Sequence, residues 1–287
     1  MKMKKLIIIT LTLFVLAPVM SFAQEDFDER PPRPENDLVP RMGDAGIGLD
    51  AEPFLNYIGN MFNGFNEHNT LALGDNTLYF RYFLMDEIAI RLRFNLNLQS
   101  DTETRYVVDD AALVYDPTSQ LEVQDKRTDV FRNLNVWVGG QYFIGEGRLR
   151  GFGGVDLGYG YLKDYELYEW GNAMTELNPR PTSGWNLLDD DQRPLEVLDD
   201  KAHFIRAGLF TGAEFCIRKG FYIGVEMGVN YGYRIPGQNY TVYETMVHSE
   251  YAEMTDLVGR GNRTSAAFSG VPYLYGNLYL FFNFPLL

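Results

Sequence analysis

Apolar and polar residues alternate without a break from Ile88 to Leu98. Ile88, Ile90, Leu92, Phe94, Leu96 and Leu98 form one set, and Ala89, Arg91, Arg93, Asn95 and Asn97 the other. A helix wants its apolar residues three or four apart, whereas a period of two places the sets on opposite faces of a pleated strand. The same period recurs along the chain and predicts eight strands, at about 45–58, 76–85, 87–99, 130–144, 148–162, 202–217, 220–235 and 273–284. Roughly 9 to 11 residues are enough for a tilted strand to cross a membrane.

The connections between these strands alternate in length. Met85-Asp86-Glu87, Gly145-Glu146-Gly147-Arg148 and Arg218-Lys219-Gly220 are tight hairpin turns, while long loops are expected at about 59–75, 100–129, 163–201 and 236–272. An even strand count with short turns on one side and long loops on the other is the plan of an all-β, antiparallel, up-and-down transmembrane barrel. A soluble eight-stranded barrel alternates too, but fills its interior with apolar groups and shows polar ones to water. Strand seven points to the inverse arrangement. Phe221, Ile223, Val225, Met227, Val229, Tyr231 and Tyr233 form an apolar set that no charge interrupts, and Glu226, Asn230 and Arg234 lie on the other face among glycines.

Aromatic residues of the apolar face fall near strand ends, where a bilayer has its interfaces. Tyr142, Phe215, Phe221 and Phe282 lie toward the short turns, and Tyr159, Tyr161, Tyr231 and Tyr233 toward the long loops. The final strand reads YLYGNLYLFFNF. In topology, hairpin pattern and this last strand, the chain after about residue 43 resembles the OmpA/OmpX-like family of small outer-membrane β-barrels. The resemblance implies short periplasmic turns, long extracellular loops, a place in the bacterial outer membrane and a closing strand that ends on an aromatic residue read by the insertion machinery. Phe284 matches that last role, although Pro285, Leu286 and Leu287 follow it.

The N-terminus agrees with export. Lys2, Lys4 and Lys5 precede the apolar run Leu6–Val19, and Ser21-Phe22-Ala23 supplies the small residues of a cleavage site, so residues 1–23 read as a signal peptide. That run is shorter than the ~20 residues a spanning helix needs. Residues 24–43 hold four prolines and no apolar period, and read as a flexible periplasmic arm or a short docking segment, with the arm as the expectation; residues 44–287 are the barrel, expected to make up the rest of the mature protein. Cys216 is the single cysteine, so no internal disulfide holds the fold. Loss of the three leader lysines would take the formal charge from −14 to −17, which argues against nucleic acid as a partner.

On the inward face the pattern places Asp50, Glu52, Asp156, Glu214 and Glu226 with Arg81, Arg91, Arg93, Arg150, Arg206 and Arg234. An eight-stranded lumen is only wide enough for its own side chains. Ions held there must pair, because each unpaired one costs several kcal/mol. The expectation is a plug of salt bridges with Tyr79, Trp137, Phe210 and Tyr279 filling volume; the alternative is a narrow charged pore for small solutes. From Asp164 to Lys201, ten acids stand against Arg180, Arg193 and Lys201, a balance of −7. Asp189, Asp190 and Asp191, with Asp199 and Asp200, are carboxylates of the kind calcium takes, but the spacing of an EF-hand is missing and solvated loop charge is the expectation. Tyr165, Tyr168, Trp170 and Trp185 lie among these acids and are the residue types that anchor protein or glycan recognition.

Enzymes built on membrane barrels need a base beside a nucleophile or water, and His is the usual base. His68, His203 and His248 are the three available; His203 lies near Asp199 and Asp200, and His248 precedes Ser249 and Glu250. The motifs of the outer-membrane proteases, phospholipases and lipid A-modifying enzymes do not occur. No catalytic, cofactor or metal site is therefore expected. The reading is a monomeric barrel in contact with outer-membrane lipid, acting as a structural or surface-interaction protein with an extracellular protein or glycan as its partner class.

Overall fold

The computed structural model describes residues 38–50, 77–185, 192–258, 265–267 and 275–285. The strands are β1 (Asp44–Asp50), β2 (Thr77–Phe83), β3 (Ile88–Val108), β4 (Glu122–Ile144), β5 (Leu149–Glu169), β6 (Gln192–Arg218), β7 (Phe221–Pro236), β8 (Tyr240–Val247), β9 (Glu250–Asp256), β10 (Ser265–Ala267) and β11 (Tyr275–Pro285), with one short helix, α1 (Asp110–Tyr115). β1 to β7 pair antiparallel in chain order, β7 pairs with β11, and β11 returns to β1. The chain is an all-β barrel closed by eight strands. Among the described residues no helix is long and apolar enough to cross a membrane.

Along β3 the polar set is buried and the apolar set is not: Arg91 is 3% exposed and Leu92 37%. β4 repeats the inversion, with Trp137, Gln141 and Phe143 buried against exposed Val138, Tyr142 and Ile144. Alternation at period two thus puts charge inside and bulky apolar groups outside, which is stable only where the outside is hydrocarbon. The ring spans a membrane, and its strands rather than helices do the spanning.

At the short-turn end the lumen has an aromatic floor. Phe83, Phe143, Phe152, Tyr222 and Phe281 pack together there with Cys216. Gly220 makes the β6–β7 turn with φ +80°, and a Cβ on it would lie 2.6 Å from the Asn283 carbonyl oxygen, so both backbone and space require glycine. Residues 38–43, the end of the stretch read from sequence as a flexible arm or a short docking segment, are packed into this end. Leu38 rests on the aromatic cluster and its carbonyl accepts from the Tyr222 hydroxyl; Pro40 is fully buried; Gly43 N–H donates to the Phe83 carbonyl at 2.8 Å. Proline and leucine have no partner in water that rivals an aromatic floor, which is why the segment docks.

The long-loop end departs further from the sequence expectation. The predicted loops at about 100–129 and 163–201 are largely strand, since β3 and β4 run on to Val108 and from Glu122, and β5 and β6 to Glu169 and from Gln192. These strands of 21 to 27 residues are about twice what a bilayer requires. Within the predicted loop at 236–272, β8 continues beside β6 where β7 stops, and β9 folds back on β8. The result is an ordered rim standing on the barrel. The leader, the span from 51 to 76 and residues 186–191 lie outside the described residues, and with them Glu52, His68, Asp189, Asp190 and Asp191.

Candidate functional site: a charged lumen beneath an ordered rim

Two ion-pair clusters occupy the lumen. Nearer the floor, Arg81 donates from Nη1 to Glu214 Oε2 at 2.7 Å and Arg150 from Nη2 to Oε1 at 2.5 Å, while Arg81 Nε donates to Asn283 Oδ1 at 2.9 Å. Aromatic faces enclose both guanidinia: the Phe281 ring centre is 4.1 Å from Arg81, and that of Phe143 is 4.4 Å from Arg150. One carboxylate here serves two cations. Closer to the rim, Asp156 accepts from Arg91 Nε at 2.8 Å and from Arg93 Nη2 at 2.6 Å, and Glu226 accepts from Arg91 and lies 3.7 Å from Arg93 Nη1. Arg91 lies over Phe210 and Arg93 over Trp137.

Backbone and spacing explain why these groups meet. Gly139 faces Asp156 in register, and a Cβ there would come within 2.0 Å of Asp156 Oδ1 and 2.3 Å of the Val155 carbonyl oxygen. A glycine on β4 thus makes room for the carboxylate that both arginines of β3 share. Tyr79, Trp137, Phe210 and Tyr279 are all buried within the lumen. Arg206 stands higher, donating to Asn135 Oδ1 at 2.8 Å and stacking on Phe204, and Arg234 binds Asp200 at 2.6 Å in a half-exposed pair. Asp50 is half-buried at the end of β1, near enough to Tyr79 to act on it electrostatically.

On the rim the recognition candidates divide. Tyr168, Trp170 and Trp185 form one half-buried cluster, with Tyr168 stacked on Trp170 at 5.6 Å and Trp185 set edge-on to both. Trp170 Nε1 donates to the Pro194 carbonyl at 2.8 Å. Tyr165 does not join them: it is buried on the outer face with Val130 and Leu198. A β-bulge between Asp164 and Tyr165 shifts the register there.

Several features of the rim escaped the sequence reading. Asp125 is fully buried and accepts from the N–H groups of Gly171 and Gly184, both at 2.8 Å, which ties down both ends of the β5–β6 connection. Asp110 accepts from Thr182 N–H and Asn178 Nδ2. Arg193 is buried, paired with Glu244 across β6 and β8, and donates to the Asn172 carbonyl. On the inner face Asp129 stands opposite Glu166, and Asp164 opposite Asp200. Burial first, then Asp200, Glu166 and Asp129, raises the Asp164 carboxyl above its usual range; burial, then Glu166, Asp164 and Asp129, does the same for Asp199. Among the described residues no three acids, cysteines or histidines are grouped to hold a metal. His203 bonds the Tyr159 hydroxyl through Nδ1 at 2.7 Å on the outer face, and His248 and Ser249 form the β8–β9 turn with φ 52° and 70°.

No protein-family model matches this chain, and no curated protein matches it. Among solved structures, it is similar to Ail, the attachment invasion locus protein of Yersinia pestis, at 9% identity over 85% of this chain and 99% of that one, with a TM-score of 0.29. It is also similar to the outer membrane protein OprG from Pseudomonas aeruginosa, at 10% identity over 86% and 98% of the two chains, with a TM-score of 0.30.

Proposed function

We propose that the protein is a monomeric outer-membrane barrel whose lumen is a structural plug and whose rim is a recognition surface for an extracellular protein or glycan. The observation that carries this is the division of labour along the strands. Within the membrane the interior is taken up by charges that bond one another and by the rings that enclose them. Beyond it, β3 to β6 continue as ordered strands that hold an aromatic cluster of Tyr168, Trp170 and Trp185. Long strands and buried clamps such as Asp125 are a costly way to build loops that merely stay soluble, and a rigid scaffold is what a recognition surface needs. The closed ring leaves no strand edge within the membrane for a second copy to pair with.

The test is binding of the refolded barrel, held in lipid nanodiscs, to arrays of immobilised glycans and extracellular matrix proteins. A ligand whose signal disappears in Y168A/W170A/W185A, with barrel folding intact, supports the reading. Binding unchanged in that variant would move recognition elsewhere, and no binding by the native protein would leave a purely structural role.

A further inference from the structure

The outer face of the ring carries an unexpected row of cations. Arg132 of β4 pairs in register with Lys163 of β5, and Lys163 with Lys201 of β6, so three like charges stand side by side across three strands. All three are on the outward set: Arg132 shares it with exposed Val138, Lys163 with Tyr159, and Lys201 with Ile205. Like charges opposite one another in a sheet repel. Among the ion pairs of the described residues none involves these three side chains. The acids adjacent to Lys163 and Lys201 in sequence, Asp164 after the one and Asp200 before the other, belong to the inner face, where Asp200 holds Arg234.

The position of the row is as informative as its charge. Between it and the short turns lie six outward rows across β4, β5 and β6, from Ile144–Gly151–Ala213 to Leu134–Tyr161–His203, with no Lys, Arg, Asp or Glu in any of them. Ten residues at ~3.3 Å each, tilted by about 40°, rise about 25 Å along the membrane normal, the height of the apolar band of such barrels. The cations therefore begin where the hydrocarbon ends, directly above the Tyr159, Tyr161 and His203 cluster. On their far side Tyr165 gathers two of them: Lys163 Nζ is 3.8 Å and Arg132 Cζ 5.6 Å from its ring centre. Val130 and Leu198 bury that ring from either side, which fixes the platform.

We propose that Arg132, Lys163 and Lys201 form a binding site for the phosphate of an anionic membrane lipid headgroup at the long-loop interface. The site rests on the membrane-spanning reading of the ring and adds a ligand to its outer surface. A phosphate there would neutralise a repulsive row while its acyl chains lie on the apolar rows beneath.

The experiment uses the full-length refolded barrel in phosphatidylcholine vesicles with and without phosphatidic acid, and follows thermal unfolding by heat-modifiable gel migration. The expected result is a higher midpoint with phosphatidic acid, weakened by salt. In K163Q/K201Q the apparent affinity for phosphatidic acid, read from the lipid fraction that gives half the midpoint shift, should fall about fivefold per cation removed, while R148Q, which removes an exposed cation at a short turn, behaves as the native protein does. In phosphatidylcholine alone K163Q/K201Q should be no less stable than the native protein, because a repulsion has been removed. An equal shift in native protein and K163Q/K201Q would overturn the site, and the same shift with inorganic phosphate would overturn its assignment to a lipid. If native protein shows no heat-modifiable form, the barrel reading itself fails.

Discussion

Replacing Glu214 by Gln leaves Arg81 and Arg150 in the lower lumen without their shared carboxylate. All three side chains are sealed from solvent, with side-chain exposures of 0%, 1% and 0% for Arg81, Arg150 and Glu214. Removing one member of a buried ion cluster costs about 3–5 kcal/mol, because the remaining charge stays desolvated. The opposite deletion should behave differently. Arg150→Met keeps the Arg81–Glu214 pair one to one, places a flexible apolar group on Phe143, and removes the surplus cation, so its cost is expected at about 1 kcal/mol or less. Urea unfolding of both variants in the same vesicles, read by tryptophan emission and heat-modifiable migration, measures the difference. A cost for Glu214→Gln no larger than that for Arg150→Met would mean that the carboxylate does not offset the two buried guanidinia.

Other expectations are equally specific. Gly139→Ala should destabilise the barrel by about 1–3 kcal/mol or block its folding, since the Val155 carbonyl oxygen in the path of the methyl is backbone; refolding yield and urea midpoint report it. Asp125→Ala should speed hydrogen exchange and proteolysis at residues 171–185 while leaving the urea midpoint of the barrel within about 0.5 kcal/mol, because the clamp lies in the rim. The raised carboxyls of Asp164 and Asp199 mean that the folded rim binds protons more tightly than the unfolded chain, so its stability should rise as pH falls from neutral toward the upper carboxylate range. Exchange protection of the rim stretches of β5 (163–169) and β6 (192–201) should follow that direction in native protein and flatten in Asp164→Asn. His248→Asn with Ser249→Gly relieves two positive-φ residues at a two-residue turn and should slow exchange in β8 and β9 by a few fold; faster exchange would contradict that account of the turn.

Within the membrane, one polar face and one apolar face at period two locate the described parts of the eight ring strands, and the parity that put Arg91, Arg93, Asp156 and Glu226 on a single face is the parity of the structure. Above the membrane both faces meet water, so the stretch from Ser100 to Arg105 has no apolar period to display and read as loop. What holds it in strand is the ladder to β4 and local pairs such as Thr102 with Thr128 at 3.0 Å. The β8–β9 hairpin was hidden because His248-Ser249 is not a residue pair that favours its turn. Asp125 carried no signal because its partners are backbone N–H groups more than forty residues away. The cation row was hidden too, since Arg132, Lys163 and Lys201 become neighbours only once the register is known.

A lumen filled by its own paired charges should offer ions no continuous path. Single-channel conductance of the purified, refolded protein in a planar bilayer tests it most directly, with heat-modifiable migration establishing that the barrel has folded. A folded protein that produces no discrete current steps is the predicted result. Reproducible steps from folded native protein would contradict the plug and make Arg91, Arg93, Asp156 and Glu226 the walls of a pore.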